Sequence, residues 1–253
     1  MNKAIVVLSG GQDSTTCLFW AKKCFDSVKA ITFDYGQRHR IEIVAARQVA
    51  RMAEVEHEIV QLVELLESTS PLVDPKAALE KYESAEQMEQ VIGKRVELTF
   101  VPMRNTLFMT IAANRAIAFG ANTIVTGICQ EDNANYPDCT EAFRIKMEAA
   151  INESLGQKVI TILAPLMFMS KSQSVHFAKS VPGAWRALAY SHTSYDGKYP
   201  PTDMNHANVL RAKGFEEAGL PDPLVVRAVN DKLMEYPHTR NYDSLREQQH
   251  PEN

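Results

Sequence analysis

The sequence predicts an α/β protein: an open parallel sheet with helices on both faces, and a small, mostly helical C-terminal lobe. Three observations carry this. A short apolar run, Ala4 to Leu8, meets a glycine turn and then an apolar helical segment, Cys17 to Ala21. A second apolar run, 28–34, returns within about thirty residues, the length of a right-handed βαβ unit. Short apolar runs and segments of helical period then keep alternating, with helices expected over 41–53, 105–119 and 139–155 and strands over 57–62, 123–127 and 158–163.

The first unit carries the strongest chemistry. Between strand and helix stand Ser9, Gly10, Gly11, Gln12, Asp13, Ser14, Thr15 and Thr16. Backbone N–H groups of such a turn point at a bound anion, and the helix dipole favours negative charge there. Glycine is needed because a side chain would hold a phosphate away from the backbone. Ser9, Ser14 and Thr15 add hydroxyl donors without bulk. Asp13 cannot bind phosphate, so it is expected to hold a magnesium ion or a loop N–H. The string lacks the lysine of a Walker loop and the spacing of a dinucleotide fingerprint. It resembles the pyrophosphate loop of enzymes that split ATP into AMP and pyrophosphate.

In an open α/β sheet, ligands lie beyond the C-terminal strand ends. That rule singles out the loop after the second strand, Phe33 to Arg40, with Tyr35, Gln37 and Arg38. The helix over 41–53 has apolar positions Ile41, Val44, Ala45, Val49 and Met52. Residues 63–97 turn polar, with Ser-Thr-Ser-Pro at 68–71 and Asp-Pro at 74–75. A connection this long is read as an insertion with a short helix, mobile without substrate, or as a plain surface excursion. Pro102 disfavours helix at Val101, so the helix that Gly120 ends starts near 105. Arg104 and Asn105 stand at its N-terminus, where an anion is favoured. After 123–127 comes a loop with Glu131, Asp132, Tyr136 and Asp138, suited to a polar heterocycle. Ser170 caps the next helix and brings Lys171 to another strand end. The C-terminal part holds a further helix over 204–218, and its last ten or so residues are expected to be poorly ordered.

Composition narrows the partners. The chain has 253 residues, 45% of them hydrophobic, with net charge −4 and pI about 6.0. No broad basic surface is expected, hence no direct contact with nucleic acid. No apolar run reaches the roughly 18 residues of a membrane span. Four cysteines, Cys17, Cys24, Cys129 and Cys139, form no CxxC pair; a cytoplasmic, reduced protein is expected.

Several segments together resemble one family. They are LSGGQDSTTC (8–17), TFDYGQRHRIE (32–42), FVPMRN (100–105), TGICQEDNANYPDC (126–139), APLMFMSK (164–171) and VLRAKGFEEAG (209–219). In this order they resemble 7-cyano-7-deazaguanine synthases of the queuosine pathway. The resemblance implies a pyrophosphate-loop fold of the adenine-nucleotide alpha-hydrolase type over 1–182, with 63–97 inserted, and a lobe over 183–253. It implies conversion of 7-carboxy-7-deazaguanine, ammonia and ATP to the nitrile, with magnesium; a homodimer is expected because self-association through the C-terminal lobe would add burial. The implied ATP site is Leu8, the loop from Ser9 to Thr15, Phe33 and Gly127. The implied substrate site is Tyr35, Gln37, Arg38, Asn105, Glu131, Asp132, Tyr136 and Asp138. Catalytic roles fall to Asp13, Ser14, Arg38, Arg104 and Lys171, with the arginines on substrate carboxylate or phosphates. Glu131, Asp132 and Asp138 would accept from the base's N–H edge or hold metal.

Two departures stand out. The family's C-terminal lobe normally binds zinc through four cysteines, and this chain has Ser194, Thr202, Asn205 and Asn208 at those positions. None is a good zinc ligand, so zinc is not expected, although His192, Asp203 and His206 lie close in sequence. Direct hydrogen bonds among the four replacements are expected to take over, with Tyr195, Tyr199, Val209, Leu210 and Phe215 packing nearby. The second departure is Met103, where the family usually has glycine. Two rival readings stay open: a paralogue that adenylates a deazaguanine carboxylate and transfers it elsewhere, and a nucleotide-binding pseudoenzyme.

Overall fold

The computed structural model describes residues 1–38, 40–74, 76–130 and 135–249. Five strands form one parallel sheet: β1 (Lys3–Val7), β2 (Ser27–Asp34), β3 (Glu56–Gln61), β4 (Thr123–Val125) and β5 (Thr161–Leu163). Their order is β3-β2-β1-β4-β5. The chain steps outward from β1 to β3, then returns to add β4 on the other side of β1. The order therefore reverses between β1 and β4, and a crevice opens there at the strands' C-terminal ends.

Ten helices surround the sheet among the described residues: α1 (Gln12–Cys24), α2 (Ile41–Met52), α3 (Ala85–Ile92), α4 (Arg104–Phe119), α5 (Glu141–Ser154), α6 (Lys171–Ser180), α7 (Ala184–Leu188), α8 (His206–Glu217), α9 (Pro223–Asn230) and α10 (Asp243–Gln249). The period of two in β1 assigns them to faces. Ala4, Val6 and Leu8 pack with Leu18, Ala46, Val49, Ala184 and Ala187, so α1, α2 and α7 cover one face. Ile5, with Ile31, Ile124 and Ile162, packs against Phe108, Met109, Ala112 and Ile151, so α4 and α5 cover the other. None of the described helices is long and apolar enough to cross a membrane.

The differences from the sequence reading have local causes. The last strand begins at Thr161 rather than 158, because Asn152 of α5 takes the N–H groups of Val159 (2.7 Å) and Ile160 (2.8 Å) on its Oδ1. Helix α5 begins after Thr140, whose hydroxyl accepts from Phe143 N–H, while Pro137–Cys139 forms a separate 3-10 turn. The insertion contains the expected short helix, α3. It is anchored: Tyr82, Met88 and Ile92 are buried against Val209 of α8, and Tyr82 N–H donates to Met204 O at 2.8 Å. The chain end is more ordered than its polarity predicts. Tyr242 stacks on Tyr236 (centroids 5.7 Å apart), Leu245 packs against them, and α10 runs to Gln249; residues 250–253 lie outside the described part.

Met103 explains its own departure. It precedes α4 with φ +64°, a left-handed conformation that suits glycine, and its side chain is exposed. Left-handed backbone costs an L-residue about 1–2 kcal/mol, against roughly 0.5–1 kcal/mol of extra chain entropy lost by glycine. Met103→Gly is expected to stabilise by about 0.5 kcal/mol, a melting-temperature rise of roughly 1–2 °C. A lower melting temperature would contradict this reading.

Candidate active site

The loop after β1 is built for close approach. Gly10 has φ +92°, and a Cβ there would stand 2.3 Å from Glu42 O and 2.7 Å from Ala46 N. No other residue fits. The serines brace one another: their hydroxyls are 3.0 Å apart, Gly11 N–H donates to Ser9 Oγ at 3.2 Å, and Ser14 Oγ donates to Gly11 O at 3.2 Å. Helix α1 starts directly behind, with Gly11 as its N-cap. Gly127, at the end of β4, lets that strand pass the helix start, since a Cβ would lie 2.9 Å from Ser14 N. Thr15 is fully buried and its Oγ1 has no hydrogen-bond partner among the described residues.

This loop forms one wall of a pocket at the switch point. Of the residues read from the sequence, Leu8, Ser9, Gly11, Gln12, Asp13, Ser14, Phe33, Tyr35, Gln37, Arg104, Asn105, Gly127, Tyr136 and Lys171 line it. Gly10 and Thr15 stand behind the loop. Lys171, the first residue of α6, joins Asp13 in an ion pair, Nζ to Oδ2 at 2.6 Å. Where the sequence left Asp13 to a metal ion or a loop N–H, the structure pairs it with this lysine, because β5 delivers the start of α6 to the loop.

The opposite wall is aromatic and cationic. Phe33 stacks on Phe108 with centroids 4.2 Å apart, and Tyr35 is buried beside them. Arg104 Nη1 donates to the Tyr35 hydroxyl at 3.4 Å. Burial works against the Arg104 charge, yet Tyr35, Tyr136 and Asp138 around it keep its pKa above the ordinary value. Asp138 lies behind the lining. Its Oδ2 accepts from Asn105 N–H at 3.3 Å, at the first turn of α4; burial raises its pKa while Arg104 and Asn105 lower it. The start of α4 is thus one of its partners. Arg38 also stands apart from the pocket, reaching Ala77 O in the insertion at 3.2 Å. Glu131 and Asp132 lie outside the described residues.

Sequence reasoning missed a buried carboxylate, Glu97. It accepts from Thr99 N–H at 2.6 Å, from the Thr99 hydroxyl, and from the Tyr136 hydroxyl at 3.3 Å. No local pattern marks it, since it closes a polar, charge-rich stretch. Also missed was the part of the C-terminal lobe in the site. Thr193, Tyr195, His206 and Arg211 all line the pocket, and His192 N–H donates to Gly10 O at 2.8 Å. Tyr195, expected only as packing, is therefore a pocket residue.

At the positions of the family's cysteines, the expected bonds form around an anion. Ser194 Oγ lies 2.7 Å from Asp203 Oδ1 and 2.5 Å from Asp196 Oδ1. Asn208 Nδ2 donates to Asp203 O at 2.9 Å and to Ser194 Oγ at 3.1 Å, and Asn205 Nδ2 donates to the Asp203 carboxylate. Thr202 is exposed and joins none of these bonds. Asp203, noted in the sequence only as lying close to these positions, is thus the hub. Among the described residues, no group of three or more histidine, cysteine, aspartate or glutamate side chains is placed to hold a metal ion.

Comparison with known proteins agrees with this architecture. A family model described as queuosine biosynthesis protein QueC matches residues 3–219. The 7-cyano-7-deazaguanine synthase of Laribacter hongkongensis is 47% identical over 228 residues, 88% of this chain and 94% of that protein. Those of Chromobacterium violaceum and Gloeobacter violaceus are each 44% identical, over 231 residues (89% of this chain, 94% of that one) and 229 residues (88% and 96%). The matched span runs from β1 through α8, and so contains every wall of the pocket. The chain belongs to the QueC family of queuosine biosynthesis proteins.

Proposed function

We propose that this chain converts 7-carboxy-7-deazaguanine, ammonia and ATP to 7-cyano-7-deazaguanine through two adenylations, releasing AMP and pyrophosphate each time. The observation that carries it is the meeting, in one pocket, of an anion-binding loop, the cations Lys171 and Arg104, and an aromatic wall. A carboxylate is a poor electrophile. Attack of its oxygen on the α-phosphorus of ATP expels pyrophosphate and leaves an acyl-adenylate. Ammonia displaces AMP to give the amide and loses a proton. The amide oxygen attacks the α-phosphorus of a second ATP and expels pyrophosphate, and loss of AMP and both N–H protons leaves the nitrile.

The loop amides and the hydroxyls of Ser9 and Ser14 hold the phosphates. Lys171 stands at the loop to balance charge as pyrophosphate leaves, and Arg104 holds the substrate carboxylate. Phe33, Tyr35 and Tyr136 offer faces to adenine and the deazaguanine. Hard oxygen donors suit magnesium, which usually binds through one or two carboxylates plus phosphate; the Asp13 carboxylate would hold it, neutralising phosphate charge. Mass spectrometry of products from purified protein, ATP, ammonia and the carboxylated base tests the reading. AMP, pyrophosphate and the nitrile are expected; ADP and phosphate, or an amide that goes no further, would refute it.

The lobe stands without zinc in this reading, with the Asp203 network as its internal tie. Asp203→Ala would strand the Asn205 and Asn208 donors, at about 1–3 kcal/mol for each unsatisfied group. A stability loss of about 2 kcal/mol is expected, with a melting temperature indifferent to chelator in the parent protein. Stoichiometric zinc in the purified protein would overturn this.

A further inference from the structure

His206 stands between two positions at which the family carries zinc cysteines, Asn205 and Asn208. It opens α8, lines the pocket, and is only 4% exposed. Its Nε2 is buried without a hydrogen-bond partner among the described residues. An unsatisfied buried nitrogen is costly, which points to a partner that arrives with the reactants. Burial pushes its pKa down, Lys171 adds to this and Glu97 opposes it, leaving it at about 4. A helix N-terminus disfavours the imidazolium too. The ring is therefore neutral near pH 7, able to accept at one nitrogen.

The reactants leave one partner over. Loop donors meet phosphate, aromatic faces meet the rings, and Arg104 meets the carboxylate. Lys171 and Arg104 repel ammonium, so the nitrogen nucleophile reaches the acyl carbon as neutral ammonia. Resting on the adenylation reading above, we propose that Nε2 of His206 accepts a hydrogen bond from ammonia and seats it for attack on the acyl-adenylate. The placement suits this. His206 lines the same pocket as Lys171 and Tyr136, and Lys171 and Glu97 both lie near enough to act on its charge; the acyl carbon, bonded both to the base and to AMP, sits in that pocket. Less than 1 Å² of Nε2 is open as the ring stands, so the ring shifts to meet the incoming ammonia. With one N–H held by Nε2, the lone pair of ammonia stays free to attack.

Two reactions separate this role from a structural one. Exchange of labelled pyrophosphate into ATP, driven by 7-carboxy-7-deazaguanine without ammonia, reads the adenylation alone. Amide formation over a range of ammonium chloride reads the second step. His206→Leu (or His206→Phe, should that variant fail to fold) removes the acceptor, and His206→Gln keeps one on Oε1. Exchange is expected to stay within about twofold in all variants, while the apparent KM for ammonia rises about tenfold or more in the apolar variant, the size of one good hydrogen bond, and recovers in His206→Gln. An unchanged ammonia KM, an equal loss of exchange and amide formation, or a glutamine variant no better than the apolar one would each overturn the proposal. Absence of base-dependent exchange in the parent protein would instead refute the adenylation reading.

Discussion

Lys171→Ala is expected to lower pyrophosphate release by about 10²–10³-fold, the usual effect of removing one preorganised group from a developing charge. The fold should survive, because Lys171 contributes little to either core. Its ammonium lies 2.6 Å from Asp13 Oδ2, with the two side chains only 12% and 21% exposed. The pair holds the lysine at the loop before any nucleotide arrives, so little reorganisation remains when charge moves onto the leaving pyrophosphate. Removing Nζ has a second consequence: the Asp13 carboxylate loses its counterion beside incoming phosphates. Asp13→Asn in the Lys171→Ala background separates the two effects. Recovery of the full rate in the double variant would mean that Lys171 only screens Asp13. Continued loss, with AMP and pyrophosphate measured directly, is the expected result. Lys171→Arg should retain partial rate, since charge is kept while the fork displaces it.

What the sequence displayed, and what it hid, divides along physical lines. The strand, glycine turn and helix at 4–24 were legible because each is encoded by adjacent residues: an apolar run, a position where only glycine is accepted, and a helical apolar segment. Lys171 was legible because the capping box of Ser170 and Gln173 fixes the helix start locally. The pairing of Lys171 with Asp13 was not, since 158 positions separate them and only the sheet order brings them together. Asp138 is similar: a carboxylate in an acidic loop reads as a ligand group, and its backbone partner at the start of α4 is one that sequence cannot display. His206 was hidden for a related reason: its neighbours in the chain stand at the family's zinc positions, while the first turn of α8 brings it to the pocket wall.

The largest stability effect is expected at Asp222, three residues beyond the family match. Arg211 and Asp222 are 3% and 5% exposed and form a two-pronged pair, Nε to Oδ2 at 2.6 Å and Nη2 to Oδ1 at 2.9 Å. Arg211 also donates to Ser191 Oγ at 3.0 Å and to Leu188 O at 3.3 Å. Asp222 in turn caps α9, accepting from Leu224 N–H at 2.9 Å, and its own N–H reaches the Tyr242 hydroxyl at 3.1 Å. This one residue thus ties the tail through its backbone N–H, and α9 and the pocket wall that Arg211 lines through its carboxylate. Asp222→Ala leaves a buried guanidinium uncompensated, at about 3–5 kcal/mol, and removes a cap worth about 1 kcal/mol. A urea melt should therefore lose about 4–6 kcal/mol at unchanged m-value, much of the roughly 5–15 kcal/mol typical of a whole domain. Arg211→Met combined with Asp222→Leu tests the cause. Desolvation of an unpaired charge predicts that the double variant regains most of the stability, falling short mainly by the lost cap. A double variant as unstable as Asp222→Ala would mean that packing and capping, not charge, make this position matter; a loss below about 1 kcal/mol in Asp222→Ala would mean that the pair contributes no more than an exposed one.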